Sequence, residues 1–126
     1  MIKTLIPIAL GGAIGALARY GASLGIHSLT GPGFPYGTLF VNVIGSFSIG
    51  ALYVVISHSS AELGSYRALL IVGLLGAFTT FSTFSIETVL LIEGGHLLKA
   101  ALNVSLSVLT CLIACSAGLT LARGQL

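Results

Sequence analysis

A chain of 126 residues that is 56% hydrophobic and 6% charged, with net charge +2, has too little polar surface to stay in water, because soluble domains carry about 25% charged residues. Its mean hydropathy is +1.10. The five basic residues, Lys3, Arg19, Arg67, Lys99 and Arg123, are scattered, which excludes the basic cluster that nucleic acid or an anionic-lipid patch would require. A spanning helix takes about 20 apolar residues, so the expectation is one transmembrane domain over residues 1–126 and no separate soluble domain.

The first apolar stretch predicts a helix over residues 4–24. It follows a single Lys3, exceeds the apolar length of a signal peptide and contains Arg19, so it is expected to remain as a span. Gly11 and Gly15 are spaced by four, as are Gly21 and Gly25, a pattern that lets helix backbones approach where lipid supplies no hydrophobic drive. The turn cluster Leu29-Thr30-Gly31-Pro32-Gly33-Phe34-Pro35 ends the segment. A second helix is predicted over 36–57 without a charge, followed by a polar surface loop from His58 to Ser65.

The third segment is predicted over 67–92, with a break near 76–83. After Gly73 and Gly76 comes Thr79-Thr80-Phe81-Ser82-Thr83-Phe84-Ser85, dense in β-branched and hydroxyl residues. Irregular backbone at membrane depth is tolerated only where protein buries it or water lines it. The turn Glu93-Gly94-Gly95-His96 leads to a fourth helix over 97–122. Cys111 and Cys115, on one face of that helix, read as small packing residues.

Four spans put Lys3, Arg67 and Arg123 on one side, with Lys99 and a snorkelling Arg19 on the other. Three against two is almost no bias of the kind that fixes orientation. The expectation is dual topology, with antiparallel subunits pairing about a two-fold axis in the membrane plane.

Polar groups inside a bilayer are costly and usually functional. Thr38, Asn42 and Ser46 share one helical face, and Asn103, Ser107 and Thr110 another. Ser82, Thr83, Ser85 and Glu87 follow the irregular stretch. Interhelical hydrogen bonding is one reading of such groups; three stripes lining a narrow wet path is the other. Glu87 is either a proton or ion site or a carboxylate reaching the headgroups. Arg19 suits a structural role, donating to freed backbone carbonyls or a helix end. Phe81 and Phe84, three apart, either pack in the core or turn their positive ring edges toward a small anion. Such a path binds a hard, strongly hydrated ion without trapping it.

Three stretches carry a family resemblance along essentially the whole chain: Gly12-Ala13-Ile14-Gly15-Ala16-Leu17-Ala18-Arg19-Tyr20, Gly37-Thr38-Leu39-Phe40-Val41-Asn42-Val43-Ile44-Gly45, and Gly73 to Ser85 with Glu87. In this order they resemble the Fluc (CrcB-type) fluoride channels. The resemblance implies an all-α membrane protein of four transmembrane helices per subunit, the third broken mid-membrane, in an antiparallel homodimer with two fluoride pores. Phe81 and Phe84 then face the pores, Asn42 joins them from the second helix, and Thr38, Ser82 and Thr83 form a hydroxyl track. Asn103 and Ser107 occupy plausible positions on that track, and Glu87 adjoins it. The resemblance further implies a structural sodium ion at the dimer axis, held by the backbone carbonyls of Gly76 and Thr79, and a bacterial inner (cytoplasmic) membrane. The function it implies is passive fluoride export rather than catalysis. A small proton-coupled multidrug exporter is the alternative; such proteins usually carry a glutamate in the first helix, and this chain has no acidic residue there.

Overall fold

The computed structural model describes residues 1–58 and 64–125. The chain runs through α1 (Ile2–Thr30), α2 (Tyr36–Ser57), α3 (Gly64–Arg67), a π-helical segment (Ala68–Leu75), α4 (Gly76–Phe78), α5 (Phe81–Glu93) and α6 (Leu97–Arg123). Four stretches among the described residues are long and apolar enough to cross a membrane: Ile2–Thr30, Tyr36–Ser57, Gly64–Glu93 and Leu97–Arg123. Most of the polar loop expected after α2 falls on residues 59–63, outside those described.

α1 continues past the expected end at Leu24 to Thr30. The apolar run stops at Leu24, but nothing after it breaks a helix until Gly31. Ser28 and Thr30 turn their hydroxyls back onto the Gly25 and Ile26 carbonyls, and Gly31, at φ 76°, closes the end by donating its N–H to His27. That left-handed φ is open to glycine at little cost.

Glycines set how the helices meet. α1 lies along the π-helical segment, and α2 along α6. A Cβ on Gly11 would strike the Leu69 carbonyl oxygen, and one on Gly15 the Leu74 carbonyl oxygen. Across the other seam, a Cβ on Gly50 would meet the Cys115 carbonyl and one on Gly118 the Phe47 carbonyl. The spacing of Gly11 and Gly15 thus serves close approach. Gly21 and Gly25 instead face open space.

The π winding over Ala68–Leu75 is an addition to the sequence reading. At its end the Gly76 N–H is shared between the Gly73 carbonyl and that of Ile71, five residues back, where an α-helix would reach four. Thr79 and Thr80 are extended, with φ/ψ of −88°/157° and −153°/123°, and stand between the end of α4 and the start of α5. Little of the molecule is buried: Val41 and Asn103 are its largest fully enclosed side chains. Large apolar side chains, leucine and isoleucine above all, face outward along every span, as a chain solvated by hydrocarbon or by a second copy requires.

Candidate functional site

The two extended residues are held by α2. Asn42 Oδ1 accepts from the Thr80 N–H at 2.8 Å, and Asn42 Nδ2 donates to the Thr80 carbonyl at 2.9 Å. Both backbone groups of a residue that has left the helix are thereby paired, without which each buried group would cost about 1–3 kcal/mol. Gly45, one turn along α2, leaves the room that the Thr79 methyl occupies.

Thr80 then starts α5. Its hydroxyl oxygen accepts the Thr83 N–H at 3.1 Å, as an N-cap does, and the same hydroxyl lies 3.1 Å from Thr83 Oγ1 and 3.2 Å from Ser82 Oγ. These bonds divert two donors. In a continuous helix the Thr80 N–H would serve the Gly76 carbonyl and the Thr83 N–H the Thr79 carbonyl. Here they go to Asn42 and to the Thr80 hydroxyl.

Beside this junction lies an open groove of about 410 Å³, with Asn42 and Ser46 on α2, Gly76, Thr79 and Thr80 at the junction, Phe81 and Phe84 on α5, and Ser107 and Cys111 on α6. The two rings touch, with centroids 5.2 Å apart and planes inclined at 46°. They differ in setting: Phe84 is 9% exposed and Phe81 77%. The groove is mostly apolar, and Asn42, Ser46, Thr79, Thr80 and Ser107 are the polar residues that line it.

A second, more polar space of about 440 Å³ lies on the α1 side, lined by Arg19, Tyr20, Ser23, Thr38, Thr80, Thr83 and Glu87. Thr38 donates its hydroxyl to Glu87 Oε1 at 2.8 Å. Glu87 Oε2 is buried and has no hydrogen-bond partner among the described residues. Thr80 lines both spaces, so the junction is the wall between them.

Of the residues singled out from the sequence, Asn42, Phe81, Phe84 and Ser107 gather on the groove with Gly76 and Thr79. Thr38, Thr83, Glu87 and Arg19 gather on the polar side, and Ser82 meets the Thr80 hydroxyl between them. Arg19 forms no hydrogen bond or ion pair among the described residues. Asn103 stands apart. It is 1% exposed, donates to Thr88 Oγ1 at 2.9 Å, and lines neither the groove nor the polar space. Thr88, whose hydroxyl also donates to the Phe84 carbonyl at 2.7 Å, is a residue the sequence reading passed over, as are Tyr20 and Ser23. The last two were within reach: they fall three apart on one face of α1, next to Arg19.

Residues 6–119 match the family model described as CrcB-like protein, Camphor Resistance (CrcB). The chain is 57% identical over 123 residues to a protein of Methylococcus capsulatus named fluoride-specific ion channel FluC, covering 98% of this chain and 54% of that one. It therefore spans about half the length of that relative. Proteins of the same name from Shewanella amazonensis (52% identical; 88% of this chain, 89% of that one) and Cereibacter sphaeroides (48% identical; 98% of each) match over nearly their whole length. With the matched region running from the start of α1 to the last turns of α6, the chain belongs to the CrcB family.

Proposed function

We propose that this chain is a passive, fluoride-selective channel subunit, working as an antiparallel homodimer with two pores in a bacterial inner membrane. Three kinds of support converge. The relatives are named fluoride-specific ion channels. The positive charges are nearly balanced between the two sides, as a protein inserted both ways requires. The geometry that best supports the reading is the Thr79–Thr80 junction, two extended residues between α4 and α5, which this reading places at membrane depth. It sets amide, hydroxyl and ring-edge groups beside one groove while Asn42 satisfies the irregular backbone.

In this reading a fluoride ion sheds water on entering the groove and is met by N–H and O–H donors from Asn42 and Ser107, with the hydroxyls of Ser82 and Thr83 across the Thr80 wall taking it on toward the α1 side. The edges of Phe81 and Phe84 carry positive potential without a full charge, so the ion is bound weakly enough to leave. Thr38 and Glu87 continue the polar route on the α1 side. Fluoride that has entered a cell as its neutral acid and dissociated is then driven out by the membrane potential alone.

A sodium ion on the dimer axis fits the same junction. The Gly76 and Thr79 carbonyls have lost their helical donors to Asn42 and Thr80. Both residues line the groove, Gly76 on an exposed surface, so a pair from each subunit would give four oxygen ligands. Such an ion would supply fixed positive charge, and unwound carbonyls are the donors that hold sodium in membrane proteins. The chain's own part is to hold those carbonyls in place through Asn42.

Liposomes containing the purified protein and loaded with fluoride should empty rapidly, while chloride-loaded ones should not. Phe81→Ile and Phe84→Ile should each slow fluoride release by at least roughly tenfold, equivalent to about 1.4 kcal/mol in barrier, with the dimer intact by size-exclusion chromatography. Release of chloride at the same rate, or release only under a proton gradient, contradicts the channel reading; the second outcome is that of a proton-coupled exporter.

A further inference from the structure

The polar space beside Glu87 does not end at Thr38. A third cavity, of about 270 Å³, shares Tyr20, Ser23, Thr38 and Glu87 with it and extends to His27, Phe34, Pro35 and Gly37. The two are therefore one cleft, running along the face of α1 marked by Tyr20, Ser23 and His27 at spacings of three and four. At its waist, Gly37 lies against the Ser23 backbone, where a Cβ would stand only 3.0 Å from the Ser23 carbonyl oxygen.

The His27 end is the wet end. α1 has 29 residues, about 43 Å of helix at 1.5 Å per residue, against a hydrocarbon core of about 30 Å. Centred on that core, the helix carries its last turn, which holds His27, to the headgroups, and the His27 side chain is exposed. An anion arriving there meets the negative end of the α1 dipole and, deeper in, the Glu87 carboxyl group.

We infer that His27 is a titratable electrostatic collar at the outer lip of this cleft, raising the local concentration of the transported anion when its imidazole is protonated. This deepens the fluoride-channel reading and rests on it. Imidazole is the side chain that changes charge between about pH 5 and 8. The other groups facing the cleft are few. α1 contributes Tyr20 and, farther in, Arg19; α5 contributes Glu87; and α2 and the 31–35 loop contribute no titratable side chain to the lining. Lys99, at the start of α6, already places one ammonium at that loop, where it donates to the Gly33 carbonyl at 2.9 Å, and a protonated His27 adds a second, pH-dependent charge to it.

The experiment is fluoride release from proteoliposomes at equal internal and external pH, at pH 8 and pH 6, with protein-free leak subtracted. A unit charge acting across solvent at close range is worth about 1 kcal/mol, so wild-type release should rise roughly two- to fivefold on going to pH 6. His27→Gln should abolish the rise, and His27→Lys should give the faster rate at both pH values. Raising the ionic strength with an impermeant salt from about 0.02 to 0.5 M, which shortens the Debye length several-fold, should shrink the rise in wild type; a purely structural histidine would not produce that. A pH response retained in His27→Gln, or a wild-type rate that does not change, overturns the collar while leaving the channel standing. No fluoride release from wild type at either pH overturns both.

Discussion

Where α2 crosses α6, contact is backbone on backbone: Gly50 faces the Cys115 carbonyl and Gly118 faces the Phe47 carbonyl. One to two turns earlier on the same helix, α2 reaches the α4–α5 junction differently, through the Asn42 carboxamide and its two bonds to Thr80. The first contact is held by shape, and close approach of helices is its whole content. The second is held by hydrogen bonds, and it stabilises a conformation that is not helical at all. A seam of the first kind tolerates no added volume but dictates no chemistry. A seam of the second kind can lose its chemistry while the helices stay where they are.

Three substitutions sharpen that contrast. Gly118→Leu should have the largest effect, because backbone at the Phe47 carbonyl cannot yield to a side chain. Overpacking of this kind costs about 1–3 kcal/mol or more, and the expected result is loss of monodisperse protein in detergent. A well-behaved Gly118→Leu dimer would mean that the α2–α6 seam is looser than described. Asn42→Asp should come next and act on transport. The Thr80 carbonyl loses its donor and faces a carboxylate oxygen, a penalty of about 1–3 kcal/mol, and negative charge enters the groove. Fluoride release should fall roughly ten- to hundredfold while size-exclusion behaviour is kept; normal release would take Asn42 off the ion's route. Gly12→Ala should do least. A Cβ there meets nothing within 4 Å, and alanine favours a helix interior by about 1 kcal/mol over glycine, so thermal stability should be equal or slightly higher. A marked loss would identify that face of α1 as buried against another subunit.

The four spans were legible from hydropathy because a bilayer imposes its thickness on any helix that crosses it. The purpose of Gly11 and Gly15 was legible too from their four-residue spacing, although the same spacing at Gly21 and Gly25 meets open space, because spacing marks a face and not what lies against it. The end of α1 was not, because apolar content stops at Leu24 while the capacity to be helical continues to Gly31. Nor was the π winding over Ala68–Leu75, whose residues are ordinary apolar ones and whose wider turn is seated against α1. At the site, the composition of 79–85 flagged irregular backbone, but nothing local could name Asn42 as the partner of Thr80, 38 residues away. Asn103 shows a different limit of sequence patterning. It shares a helical face with Ser107, yet it is spent on Thr88 between α5 and α6, because neighbours on one face can still meet different surroundings.

The Asn42 pairing has a consequence for how extended chain survives in a span. In an antiparallel ladder, two facing residues exchange both N–H···O bonds; Asn42 gives Thr80 that same exchange from a single side chain. Thr80 is thus a one-residue strand whose neighbouring strand is an amide. An open sheet edge cannot exist in hydrocarbon, and here it never forms, because the edge is closed by the group that creates it. Glutamine would be a methylene too long for this register and aspartate lacks the donor, so asparagine is the residue whose size and chemistry fit the place.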